Sequence, residues 1–350
     1  MIREFISIKL KRWASLMLMP FRRFLIGIDT STSITFLKKV SRYFIKKIDY
    51  ILVRTFGSHF IEFEISSACN ARCIFCLYPD IVKSGKRLKN MDKETFKLAI
   101  KKIEQSKYSL ISFTPTTGDI FMNKEWDYFV EQMLYVKKIK QIFFYSNAIL
   151  LNEKNQDKLI GILKKDNKKK LFALLFSVGG TDRETYKEMF GVDKYIDVVK
   201  NINQLQKKLK EQNIIVQVGL EFRLPKRQKL DYKLAYEIFN QSNYDFCSIE
   251  VLYKYMNNDA IPKLDNLDYM KEIKSPERAC TYLHKTRYAA DGGVWADGCM
   301  ISEMPGDTSL KLGTVDDTDF QIEKNRSLII ENWEKHQKIP APCQGCSFYR

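Results

Sequence analysis

The sequence predicts an α/β protein, a parallel sheet or partial barrel of repeated strand–helix units followed by a smaller C-terminal module. Three observations carry this. Strand-length apolar runs alternate with amphipathic helical stretches from about residue 60 to residue 255. After residue 275 the alternation gives way to a turn-rich hairpin with cysteines on either side. At 350 residues, 45% hydrophobic and 13% aromatic, the chain can bury a large core and is not a disordered polymer.

The elements follow in order. FIEFEIS (60–66) is a strand that ends just before Cys69. MDKETFKLAIKKIE (91–104) is a helix with Asp92 as its N-cap and Phe96, Ala99, Ile100 and Ile103 on one apolar face. LISFTPT is the next strand, EWDYFVEQMLYVKKI a helix and IFFYSNA a strand. KKDNKKK (164–170) is expected to be a solvated loop. LFALLFSVGG (171–180) is continuously apolar, as a strand buried on both faces should be. TDRETYKEMF and DKYIDVVKNINQLQKKLK are helical, IIVQVGLEFRL a strand, KLAYEIFNQS a helix and FCSIEVLYKY a strand that holds Cys247. RYAADGGVWADG is a hairpin around an Asp-Gly-Gly turn. Beyond it the chain is expected to wander to its end. Cys69, Gly118, Asn147, Ser177 and Arg223 all fall near strand ends, where such folds gather their chemistry.

The formal net charge of +16 is unevenly spread. Residues 1–57 carry twelve Lys/Arg against three acids, a net +9, and the remainder carries 46 against 39, a net +7. A general nucleic-acid coat would be basic throughout, so nucleic acid is not expected as the partner. The longest charge-free run in the first segment, Trp13 to Phe21, is too short to span a bilayer. FRRFLI faintly resembles a twin-arginine export signal, but Asp29 and DTSTSIT interrupt the apolar stretch that should follow. Residues 1–57 therefore read as a basic amphipathic helical extension. Phe5, Trp13, Leu16, Phe21 and Phe24 would either anchor it at a membrane surface or pack on the body. The expected location is cytoplasmic, with peripheral contact at the inner face of the membrane.

Eight cysteines in a chain of this size, clustered and without a convincing export signal, favour metal or cluster ligation over disulfides. SSACNARCIFCLYPD sets Cys69, Cys73 and Cys76 in a C-x₃-C-x₂-C array. Three thiolates on one loop can hold three corners of a cubic iron–sulfur cluster and leave the fourth iron to a non-protein ligand. A zinc loop is the other reading, with no fourth ligand obvious nearby.

The spacing, with the aromatic Phe75 just before the last cysteine, resembles the radical S-adenosylmethionine (SAM) enzymes. That resemblance implies a partial (β/α)6 TIM-like barrel over residues 58–275, with SAM chelated at the open iron. FTPTTGDIF resembles the family's Gly-Gly-Glu-Pro strand end, which contacts the SAM amino group. Here it reads Thr117-Gly118-Asp119-Ile120, with one glycine and the proline absent and a shorter acid. YSNAIL looks like the Thr-Asn-Gly strand end and FSVGGTDRETYKEMFG like the Ser-x-Asp-Gly segment, which implies SAM-contacting roles for Asn147 and Ser177. Gly179 stands where the acid usually sits. Arg223 would meet the SAM carboxylate or a substrate hydroxyl, or lie on the surface.

Cys280, Cys299, Cys343 and Cys346 form a second set, two flanking the hairpin and two in a terminal C-x₂-C. Over residues 276–350 this is similar to the twitch form of the SPASM extension, which carries one auxiliary [4Fe–4S] cluster. A structural zinc site fits the same spacing. The arrangement also resembles twitch-type enzymes that oxidise an amino-cyclitol alcohol. The resemblance implies two [4Fe–4S] clusters and SAM, an external donor such as flavodoxin or ferredoxin, and a small-molecule, glycan or lipid-linked substrate. Dehydrogenation is the leading expectation. Modification of a ribosomally made peptide, RNA modification and a non-catalytic zinc-stapled module are the alternatives. No general base can be assigned, since His59, His284 and His336 lie in no catalytic motif.

Overall fold

The computed structural model describes residue 40 and residues 60–85, 88–106, 109–113, 117–166, 170–214, 216–225, 228–239, 246–249, 277–296, 306–344 and 346. The basic extension, residue 40 apart, lies outside these residues, as do Cys299 and the second half of the expected strand 246–255.

Among the described residues the sheet has nine strands. Six belong to strand–helix repeats: β1 (Phe60–Phe63), β2 (Leu110–Phe113), β3 (Gln141–Ser146), β4 (Leu171–Val178), β5 (Gln217–Phe222) and β6 (Phe246–Ile249). They run parallel, in the order β6-β5-β4-β3-β2-β1. The connecting helices are α1 (Tyr78–Lys83), α2 (Lys93–Gln105), α3 (Trp126–Tyr135), α4 (Glu153–Lys165), α5 (Arg183–Phe190), α6 (Tyr195–Glu211) and α7 (Tyr232–Ile238).

The C-terminal segment continues this sheet. Strand β7 (Thr286–Tyr288) pairs parallel to β1, and β8 (Gly293–Trp295) and β9 (Lys311–Thr314) follow antiparallel. Gly292, at φ +82°, supplies the left-handed position of the β7–β8 turn. Helix α8 (Asp319–His336) then packs against β9 before the terminal cysteines.

Alternation along the strands sorts the two faces. Ile61, Phe63, Ile111, Phe113, Ile142, Phe144, Leu174, Phe176, Leu220 and Phe222 are essentially inaccessible and meet the helices. Phe96 of α2, for example, lies 5.2 Å from Phe63 and 4.7 Å from Phe129 of α3. Asp92 caps α2 by accepting from Thr95 N–H at 2.7 Å, and Phe96, Ala99 and Ile103 are buried as the periodicity requires. The opposite face carries Glu62 and Glu64 on β1 and its continuation, Ser112 on β2, Ser177 on β4 and Glu221 on β5.

Two expectations are corrected. Residues 164–170 are not simply a solvated loop. Lys164 and Lys165 end α4, and Lys170 is buried, donating to the Val136 and Ile139 carbonyls. A lysine ammonium, with three donors, can serve two loop carbonyls at once, which the run of charge hides. Nor does the chain wander after the hairpin, because α8 occupies eighteen residues of that stretch. Helices α1 and α4 were likewise not expected.

Candidate cluster and SAM site

The cysteine loop follows β1 and is fixed from three sides. Glu64 N–H donates to Tyr288 O at 2.9 Å, which extends the β1–β7 pairing. Ser67 N–H donates to Lys89 O at 2.9 Å, and Lys89 N–H returns to Ser67 Oγ at 2.8 Å. On the β2 side, Asp119 N–H donates to Ala68 O at 2.8 Å, and Gly118 lies so close that a Cβ there would overlap the Ser66 carbonyl oxygen. On the α5 side, Arg72 N–H donates to Phe190 O at 2.8 Å and Ile74 N–H to Met189 O at 3.0 Å. The last carbonyls of α5, which have no partner within the helix, thus bracket Cys73. Gly191, at φ +65°, ends α5 where a Cβ would overlap Arg72 O.

Donors converge on the sulfurs. Ala71 N–H and Asn147 Nδ2 point at Cys69 Sγ, at 3.4 and 3.6 Å, and Tyr78 N–H points at Cys76 Sγ at 3.4 Å. Burial first, and then the Asp119 charge, push the Cys69 thiol up to about 12. Burial also raises Cys73, with Cys76 and Cys69 adding to it. Three thiolates on one half-buried loop repel one another, and an iron core supplies the missing positive charge.

The structure brings together most of the other expected site residues. Asn147 is pinned by accepting Ile149 N–H on Oδ1 at 3.0 Å, which aims Nδ2 at Cys69 Sγ and, at 2.8 Å, at Asn70 Oδ1. Asp119 accepts Phe121 N–H on Oδ1 at 3.0 Å, and Ser146 Oγ–H and Asn147 N–H on Oδ2, both at 2.9 Å. An acid with three donors already on it first of all ties the ends of β2 and β3. Burial nonetheless pushes its carboxyl up. Thr117 is buried beside it. Phe75 stacks edge-on against Phe190 at 5.7 Å, and the Arg223 guanidinium sits 5.3 Å from the Phe75 ring centre. Arg223 is half-buried there, and its charge partly offsets the rise at Cys73. Ser177 stands on β4 opposite Glu221 of β5, half-buried. At Gly179 a Cβ would lie 2.7 Å from the Phe190 ring and 3.0 Å from Tyr186 Cα, so the acid of the resembling motif has no room.

Two polar groups escaped the sequence reading. Among the described residues, Asn70 Nδ2 and the Tyr186 hydroxyl are buried without a hydrogen-bond partner, Asn70 in the loop itself and Tyr186 on α5. Among the described residues no three His, Cys, Asp or Glu groups form a single-ion cage. The fit to an iron–sulfur cluster rests instead on this donor shell, since cluster sulfurs are acceptors and buried donors without acceptors are rare.

The second cysteine set is only partly described. Cys280 is buried at the head of the turn before β7, and Ala279 N–H donates to Glu334 Oε1 of α8 at 3.1 Å. Cys343 and Cys346 follow α8, with Cys346 N–H donating to Cys343 O at 3.3 Å. Cys299 lies outside the described residues.

Residues 63–221 match the model of the Radical SAM superfamily. No curated protein matches the chain significantly. Among solved structures, BtrN in complex with AdoMet and 2-DOIA is 16% identical, covering 82% of this chain and 92% of that one at a TM-score of 0.46. HydG, a maturase of the [FeFe]-hydrogenase, is 14% identical over 75% of this chain and 60% of its own, at 0.44. Methylornithine synthase (PylB) is 16% identical over 58% of each chain, at 0.36. None of these likenesses reaches a TM-score of 0.5, and none is a basis for assigning a substrate. The family match falls on the segment that carries the cysteine loop, Asp119, Asn147 and Ser177, and that segment, residues 63–221, is similar to the radical SAM superfamily.

Proposed function

We propose that this chain is a radical SAM enzyme that dehydrogenates a carbinol in a sugar, cyclitol or glycan precursor. The observation that supports this is the mixed face of the sheet turned away from the helices. Ser112, Ser177 and Glu221 share it with Phe143, Tyr145 and Leu175, and Glu62 and Glu64 stand there paired with Lys285 and Arg287. Hydroxyls and a carboxylate between apolar walls suit a ring that carries hydroxyl groups.

Cys69, Cys73 and Cys76 would hold the cluster, and with SAM at its open iron the site supplies a 5′-deoxyadenosyl radical able to take a hydrogen atom from a C–H bond. The protein's own part is to hold that C–H bond in place and keep water out. The proposed reaction removes a hydrogen atom from carbon, a proton from the hydroxyl and one electron, leaving a ketone. Cys280, Cys299, Cys343 and Cys346 are the proposed holders of an auxiliary [4Fe–4S] cluster, whose chemistry is to accept that electron. An external donor of the flavodoxin or ferredoxin kind would reduce the first cluster. Residues 1–57 would bring the enzyme to the inner membrane surface and so to lipid-linked sugars. Among the described residues no helix is long and apolar enough to cross a membrane.

The test is anaerobic turnover with SAM, a reductant and C-deuterated cyclitols and hexoses. Deuterium in 5′-deoxyadenosine together with a ketone product is expected. A mass change on a co-expressed peptide, with every sugar unaltered, would move the reaction to peptide modification.

A further inference from the structure

Tyr186 is out of place as a packing residue. Its side chain is completely buried, yet among the described residues its hydroxyl has no hydrogen-bond partner. An orphan buried hydroxyl is a net cost, and phenylalanine would fill the same space without it. Neighbouring Tyr195 shows the usual solution, since its hydroxyl donates to Thr181 O at 2.7 Å.

The surroundings indicate where the Tyr186 hydroxyl is directed. Its ring stacks on Phe190 at 4.7 Å and 15°, one turn before the α5 carbonyls that receive Arg72 N–H and Ile74 N–H. Those two residues flank Cys73 in the chain. After burial, the groups that raise the phenol are Cys73, Cys69 and Asp119, in that order. Cys69 and Cys76 already receive N–H groups from two residues further along the chain.

We infer that the Tyr186 hydroxyl donates a hydrogen bond to the cluster sulfurs at the Cys73 corner and sets the cluster's reduction potential. This rests on the reading of Cys69, Cys73 and Cys76 as cluster ligands. A donor on sulfur stabilises the more negative, reduced cluster, so it makes reduction of the cluster accessible to a weaker donor. Tyr186 is a positioning and tuning residue, not a catalytic one.

The experiment is a redox titration of the reconstituted full chain, wild type against Tyr186→Phe. It is followed through the reduced-cluster EPR signal that vanishes in the Cys69/Cys73/Cys76→Ala triple variant. Iron content and the thermal stability of the iron-free protein are measured alongside. The expected result is unchanged iron, an iron-free Tm equal to or above wild type, and a reduced-to-oxidised ratio about tenfold lower at the wild-type midpoint. An unchanged midpoint with full iron would overturn the inference and leave the cluster reading standing. Loss of iron from Tyr186→Phe would overturn it as well, by making the hydroxyl a structural element. A wild-type protein without the triple-sensitive signal would instead defeat the cluster reading itself.

Discussion

Gly118 shows how little slack the site has. Its Cα lies against the Ser66 carbonyl with no space for a methyl group, and the adjacent Asp119 N–H is bonded to Ala68 O. The end of β2 and the start of the cysteine loop therefore touch backbone to backbone. Gly118→Ala must displace one of them. It is expected to lower stability by about 1–3 kcal/mol and to reduce iron retention at the first site, read by unfolding and by iron analysis. Retention of full iron and wild-type stability would show that the loop is free to move. Gly179 makes the same point in another way. The motif's usual acid is absent because α5 sits too close for any side chain, which brings Phe190 and Tyr186 up to the cysteine loop.

Among the elements, the junction of β1 and β7 is where the two halves of the chain meet. Arg287 is completely buried and lies 3.4 Å from Glu64 Oε2, while Lys285 approaches Glu62 at 3.6 Å. Burial pushes Glu62 up despite both cations. Removing one partner of a buried pair strands the other. Arg287→Met alone should thus cost roughly 3–5 kcal/mol in unfolding, and the double variant with Glu64→Leu should recover most of it. A single variant costing under about 1 kcal/mol would mean that water reaches the pair.

What the sequence revealed of these elements follows from how local their signals are. Helix α2 was legible because its cap and its apolar stripe lie within fourteen residues. Helix α8 was not, since Phe320 is 79% exposed and Leu328 47% exposed, so no continuous stripe marks its buried side. The three cysteines were legible from spacing alone. Asn147 and Arg223 were legible as neighbours of strand ends and Phe75 by its place before the last cysteine, and the structure gathers them around the loop. Tyr186 and Asn70 were not, because an orphan donor is defined by what surrounds it in space. Glu62 and Glu64 sit in plain alternation within FIEFEIS, and that pattern marks one polar face of a strand.

At the scale of the whole molecule, the C-terminal segment is a continuation of the core sheet. Since β7 lies beside β1, the strand that leads into the first cysteine loop is the one on which the Cys280–Cys346 segment is built. The proposed passage of an electron from the substrate to the auxiliary cluster depends on that continuity. The most direct test of the account is iron and sulfide per chain after anaerobic reconstitution, for wild type and for the Cys69/Cys73/Cys76→Ala triple variant. About eight irons falling to about four is the predicted result, one cubic cluster lost and one retained. About four falling to none, with zinc retained, would make the second site structural and leave the proposed oxidation without its electron acceptor.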